Sequence, residues 1–202
     1  MRTLAIDCAT EMCSVALFDD GALIADDAAL LGRGHAEALV PMIAALPGRG
    51  RADRILVARG PGSFTGVRIG LAAARALQLA WGAQLLGYAT LALVAAQALA
   101  GHDGPVDVAM TAGHGEWFFA SFAADGTPLG GIASLSPEAA AAASRAPLIA
   151  GTQAAALVAL RGTGTALPLH PLARDVLLLG AGRLGADLSP IYGRGPDARL
   201  PA

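Results

Sequence analysis

The run Ala58-Arg59-Gly60-Pro61-Gly62-Ser63-Phe64-Thr65-Gly66-Val67-Arg68-Ile69-Gly70, entered from the apolar stretch Ile55-Leu56-Val57, constrains this chain more than any other segment. It reads as a strand, a glycine loop and the start of a helix. Gly60, Pro61 and Gly62 impose a tight turn, because glycine takes the required backbone angles without a Cβ clash. Thr65 stands where a side-chain oxygen would cap the first free N–H groups of the helix. Such a loop either holds an anion or fixes a helix. A phosphate-binding P-loop demands Lys followed by Ser or Thr, so that an ammonium reaches the terminal phosphates. The chain has no lysine, all 14 basic residues being arginine, so the helix-fixing reading leads.

At 202 residues the chain can form one domain or two small lobes. The net charge is −2 and the arginines are scattered, so no continuous basic face is available to neutralise a nucleic-acid backbone. Direct, strong RNA or DNA binding is therefore not expected, and any nucleic-acid role would need a partner. Hydrophobic residues make up 54% but aromatics only 4%, which predicts an aliphatic, alanine-rich core. Residues 76–101 carry no charge, a length that raises a membrane span. Gln78, Gly82, Gln84, Gly87, Tyr88, Thr90 and Gln97 interrupt it, and the two glycines divide it into helix, strand and helix, so a buried passage and no membrane contact are expected. Met1-Arg2-Thr3-Leu4-Ala5-Ile6-Asp7 has no apolar signal core, and a cytoplasmic location is expected. Cys8 and Cys13 flank a short connection and read as small buried hydrophobes.

Apolar runs at 3–8, 13–18 and 22–30 read as strands, with Asp19-Asp20-Gly21 as a hairpin turn. Ala38, Leu39, Met42, Ile43 and Leu46 fall at helical spacing within 35–46. After the strand at 55–59, a helix over 66–81 places Gly66, Gly70 and Ala74 on one line. An interior glycine costs a helix about 1 kcal/mol relative to alanine, so another backbone is expected to come close there. A strand at 85–88 and a helix at 90–100 follow, then a linker over 101–105. The pattern restarts with strands at 106–110, 117–123 and 129–135, with Asp125-Gly126 as a turn, and Ser136-Pro137 opens a helix. A strand at 147–150 and helices at 152–161 and 171–186 complete the reading. Two successive units predict a duplicated α/β architecture of the actin-like, Hsp70-like kind. Its two lobes, 1–103 and 104–202, would each have a mixed sheet flanked by helices. Asp7-Cys8-Ala9-Thr10 lies at the first strand–turn junction. There, actin-like proteins place an Asp-x-Gly-Thr turn against nucleotide phosphate and its metal, an analogy of fold alone.

Three blocks together carry a more specific likeness. These are Leu4 to Leu17 with its Asp7-Cys8-Ala9-Thr10-Glu11 turn, His35-Ala36-Glu37 with Leu39-Val40-Pro41-Met42-Ile43, and the glycine run Gly60 to Gly70. They closely resemble the bacterial TsaB (YeaZ) family over residues 1–100, with a fainter likeness ending in Pro190-Ile191-Tyr192-Gly193-Arg194. Older labels class this group as glycoprotease-like, peptidase M22. The resemblance implies a non-catalytic subunit of the machinery that puts threonylcarbamoyl on N6 of adenosine 37 in tRNAs reading ANN codons. It also implies pairing with the catalytic paralogue TsaD, association with the ATPase TsaE, and a homodimer through N-lobe helices when TsaD is absent. ATP and magnesium would be bound by those partners, leaving this chain without a cofactor.

The residues depart from catalytic patterns in two places. Where the paralogue has His-x-x-x-His for its metal, His35 is followed four residues later by Leu39, so no metal site is expected and a metallopeptidase reading is disfavoured. Where many family members have Asp-Ala-Arg before Gly-Glu-Val-Tyr, this chain reads Thr111-Ala112-Gly113-His114-Gly115-Glu116-Trp117. Asp7, Thr10, Arg59, Arg68 and Glu116 are then candidates for a remnant nucleotide or anion site. An actin-fold ATPase or phosphotransferase using Asp7 remains the alternative. The partner surface is expected on His35, Leu39, Met42, Ile43, Gly66, Val67, Gly70, Leu71 and Ala74.

Overall fold

The computed structural model describes residues 1–193; Arg194, part of the resemblance above, lies outside them. The first half contains strands β1 (Arg2–Asp7), β2 (Met12–Asp19) and β3 (Ala22–Leu30), helix α1 (His35–Ala45), β4 (Arg54–Ala58), α2 (Phe64–Trp81), β5 (Gln84–Tyr88) and α3 (Thr90–Leu99). The second contains β6 (Val106–Thr111), β7 (Trp117–Phe122), β8 (Ala133–Leu135), α4 (Pro137–Ala143), β9 (Leu148–Ala150), α5 (Ala154–Arg161) and β10 (Thr165–Leu167). The sheet orders, β3-β2-β1-β4-β5 and β10-β9-β6-β7-β8, repeat one pattern. In each, three strands form an antiparallel meander and two more join in parallel. Parallel pairing needs a crossover, and α2 supplies the one from β4 to β5. The fold is the expected duplicated actin-like one.

Within the uncharged run at 76–101, the α3 part is explained by burial on two faces, whereas Ala76 and Leu79 at the end of α2 are exposed. Leu93 of α3 joins the core under the first sheet, while Leu91, Val94, Ala95 and Ala98 pack on Val106, Val108, Phe118 and Phe122 of the second. A helix buried on two faces carries no charged stripe. No helix among the described residues is long and apolar enough to cross a membrane.

Local corrections follow from the same physics. Helix α2 begins two residues earlier than expected, and Ser63 rather than Thr65 is its cap, its Oγ accepting from Gly66 N at 3.3 Å. Ser136 does cap α4, accepting from Ala139 N at 3.2 Å, with Pro137 in the first turn. The strand expected over 129–135 shortens to β8, preceded by an isolated bridge from Pro128 to Phe122. The helix expected over 171–186 is absent. In its place stand 3-10 turns at Ala173–Leu179 and Ala181–Arg183, separated by Gly180, whose positive φ breaks a continuous helix. Strand β10 was not anticipated; Pro168 ends its short Thr-Ala-Leu run.

The chain then returns to the first sheet. Ala173, Val176 and Leu179 are buried in its core, and Ala173 N donates to the buried Ser14 Oγ at 3.0 Å. Gly185 pairs with Gly87 on the β5 edge, and Ile191 N donates to Arg59 O at 2.7 Å. The expected boundary at 103/104 falls in the turn between α3 and β6, but residues 173–191 pack across it.

Candidate interlobe site

Three turns converge between the sheets: the β1–β2 connection, the glycine loop entering α2, and the turn after β6. They enclose a cavity of about 230 Å³ lined by Ala9, Thr10, Glu11, Gly62, Ser63 and Thr111 to Gly113, with Phe118 at one wall. Two glycines make the closeness possible. A Cβ at Gly62 would overlap the Ala9 carbonyl, and one at Gly66 would overlap the Cys8 carbonyl oxygen. Ser63 N donates to Ala9 O at 2.6 Å, so the loop is stapled to the first turn. The helix-fixing reading of the glycine run is the one the geometry supports.

Asp7 is turned away from this cavity. Its carboxylate is fully buried, accepts from Ala9 N at 3.0 Å, and lies 3.1 Å from the Tyr88 hydroxyl, itself 3.2 Å from the Ile6 carbonyl. Burial pushes its carboxyl up to about 7, opposed by the hydrogen bonds from Ala9 and Tyr88. The Tyr88 phenol is raised as well, chiefly by burial and then by the neighbouring Asp7 charge. A carboxyl held this way serves as a structural acceptor rather than as a metal ligand open to solvent.

The other remnant-site candidates do not converge. Thr10 lines the cavity and accepts from Met12 N at 3.2 Å. Arg59 donates to Asp187 at 2.8 Å and to Ser189 O at 3.2 Å, fastening the returning C-terminal segment. Arg68 lies 3.6 Å above the Phe64 ring and 3.4 Å from the Tyr192 hydroxyl. Glu116 accepts from Ser134 Oγ at 2.6 Å on the second sheet. The cavity is also below the roughly 300–1,000 Å³ usual for small-molecule sites. His35 is buried, and its Nε2 donates to Thr10 O at 2.8 Å. No cluster of three potential metal ligands occurs among the described residues.

The expected partner residues need correction. His35, Leu39, Met42, Ile43, Gly66, Val67, Gly70, Leu71 and Ala74 are all buried within this chain, under α1 and α2 against the first sheet. Amphipathic periodicity marks the apolar face of a helix, and here that face is spent on the chain's own core. The outward sides of the same helices carry Val40, Ala44, Ala72, Ala76 and Leu79. Val40 is 62% exposed and Leu79 89%. Sequence reasoning also missed Tyr88 and Asp107. Asp107 accepts from Ser121 Oγ, Ser144 Oγ, Arg145 N and Ala146 N at 2.5 to 2.9 Å. An acid between Val106 and Val108 was the available signal.

A family model described as "TsaD: tRNA N6-adenosine threonylcarbamoyltransferase" matches residues 29–180. The chain is 43% identical over 100 residues to the tRNA threonylcarbamoyladenosine biosynthesis protein TsaB of Escherichia coli (strain K12), covering 47% of this chain and 43% of that protein. The chain thus spans less than half the length of the curated relatives it matches. YeaZ from Pseudomonas aeruginosa superposes with a TM-score of 0.77 at 29% identity, over 95% of this chain and 99% of that one. The ethanolamine utilization protein EutJ from Carboxydothermus hydrogenoformans shares the fold alone, with a TM-score of 0.52 at 13% identity over 89% and 90% of the two chains.

Proposed function

The chain belongs to the family of that model, within its TsaB (YeaZ) group, and from that premise we propose that it is a non-catalytic scaffold subunit of tRNA threonylcarbamoyladenosine synthesis. In this reading it supports a TsaD paralogue that transfers threonylcarbamoyl to N6 of adenosine 37 in tRNAs reading ANN codons. TsaE joins the assembly, ATP and magnesium sit on the partners, tRNA meets this subunit only indirectly, and the protein works in the cytoplasm. The observation that carries the non-catalytic part is Asp7. The one carboxylate at the phosphate-turn position is buried against Tyr88 and does not face the cavity.

The docking surface in this proposal is the outward side of α1 and α2. Val40 and Ala44 of α1 and Ala72, Ala76 and Leu79 of α2 are exposed apolar residues, and the alanines among them would let a partner helix approach closely. The same residues would serve the homodimer, so the two assemblies compete. Mixing the protein with TsaD from the same genome, followed by size-exclusion chromatography with light scattering, tests this. A defined heterocomplex is expected for the wild type. Leu79→Arg should weaken it at least about tenfold while leaving the melting temperature unchanged, since Leu79 touches little of its own chain. An intact complex in the variant sinks the docking face. ATP turnover by this chain alone, without any complex, sinks the scaffold reading.

A further inference from the structure

Beside the site, the two cysteines of the chain form a pair. Cys8 and Cys13 occupy the next position along the β1–β2 register after Asp7 and Ser14, and their Sγ atoms are 3.4 Å apart. Residues directly opposite in an antiparallel pair have Cα atoms about 4.5–5.5 Å apart, within the span a disulfide bridges. The sulfurs need to close by about 1.4 Å to reach bonding distance. We infer that Cys8 and Cys13 form a reversible intramolecular disulfide that clamps the turn between them, residues 9–12, at the interlobe cavity.

The position of that turn gives the bond its consequence. Ala9 O holds Ser63 N at the start of α2, and Thr10 O holds His35 Nε2 at the start of α1. The Cys8 carbonyl lies directly beneath Gly66. Closing the pair therefore stiffens the point from which both helices depart. Ala9, Thr10 and Glu11 also line the cavity, so the thiols sit just behind its wall. Cys8 is 2% exposed and Cys13 0%, so an oxidant reaches them only when the turn over 9–12 opens, and a small hydroperoxide is the reagent that needs the least opening. Each thiol is the other's hydrogen-bond partner, so either sulfur can make the first attack.

The chemistry balances with hydrogen peroxide. The thiolate of one cysteine attacks a peroxide oxygen, the O–O bond breaks, and hydroxide leaves and takes up a proton as water, giving a sulfenic acid. The second cysteine's sulfur then attacks that sulfur, the S–O bond breaks, and the departing hydroxide takes the second thiol's proton as another water. Two thiols are oxidised, one peroxide is reduced, and a thiol reductant reverses the result.

The test uses the folded wild-type chain with a slight excess of hydrogen peroxide, followed by alkylation in denaturant and intact-mass measurement. The expected product has lost about 2 Da, takes up no alkylating reagent, stays monomeric on a non-reducing gel and is restored by dithiothreitol. Amide exchange over 9–12 and 63–67 should slow by about threefold or more in the oxidised form. Two alkylated thiols, a gain of about 16 or 32 Da, or a disulfide-linked dimer each overturn the pairing. A disulfide with unchanged exchange overturns the clamp. These readouts need no partner protein, so their failure is distinct from failure of the scaffold reading.

Discussion

Asp7 and Asp107 are both fully buried carboxyls, and their surroundings set them apart. Asp107 receives two hydroxyl and two backbone hydrogen bonds, so donors surround it on both oxygens. Asp7 receives one backbone bond and shares the Tyr88 proton with Ile6 O, and burial wins, lifting its pKa to about 7. The unfolded chain releases that proton near 3.8, so between these values the folded state holds the extra proton. The stability Asp7 contributes is present below the unfolded value and drains away as pH rises towards 7. Integrated over the window this is at most about 4 kcal/mol. Asp7→Asn should therefore flatten the fall in stability between pH 4 and pH 7 seen by urea denaturation of the wild type; an unchanged slope would remove Asp7 as its source. Asp107→Ala should cost about 3 kcal/mol or more, because several buried donors lose their acceptor. Asp107→Asn should recover most of that loss, since Ser144 Oγ, Arg145 N and Ala146 N all donate to Oδ2, which an amide oxygen replaces, while the amide N–H₂ would face only the Ser121 hydroxyl, which can accept. An Asn variant as unstable as the Ala variant would refute this account.

Helix α2 shows how much one element's sequence discloses. Periodicity located it and the glycine loop positioned it, but the line Gly66, Gly70 and Ala74 did not reveal what it approaches. The structure separates the two glycines. At Gly66 an added methyl would overlap the Cys8 carbonyl, a backbone atom that cannot step aside. At Gly70 it would meet Cys8 Cβ, Val57 and Ile6 side chains at 3.6 to 3.9 Å, ordinary contact distances. Gly66→Ala should lose roughly 1–3 kcal/mol to overpacking despite better helix propensity. Gly70→Ala should instead gain up to about 1 kcal/mol from that propensity. Thermal melts of the two variants check the contrast, and a destabilised Gly70→Ala would restore the close-backbone reading there. Apolar spacing told which face of α1 and α2 is buried and left open whether the chain or a partner buries it. A two-sheet core with α3 between the sheets answers that, and its contacts are non-local, so no window of sequence holds them. The C-terminal segment was misread for a related reason: Ala173, Val176 and Leu179 have helical spacing because they fill a core, while Gly180 and the short 3-10 turns leave no room for a longer helix.

At the scale of the molecule, the repeated pattern suggests two lobes, and the chain ties them by returning residues 173–191 to the first. Ser14, Arg59 and Gly87 hold that stretch through hydrogen bonds, and Ala173, Val176 and Leu179 hold it through burial. Burying three such side chains contributes on the order of 4–6 kcal/mol, comparable with the whole stability of a small domain at about 5–15 kcal/mol. A fragment of residues 1–103 lacks all three and leaves apolar patches on β1, β2 and α3 open to water. It is expected to be unfolded or aggregated, with no cooperative melt by circular dichroism. Adding a peptide of residues 170–193 should restore a cooperative transition whose midpoint rises with peptide concentration, as binding to the folded state alone requires. A fragment that melts cooperatively without the peptide would show that the first sheet is self-sufficient and that the returning segment merely lies against it.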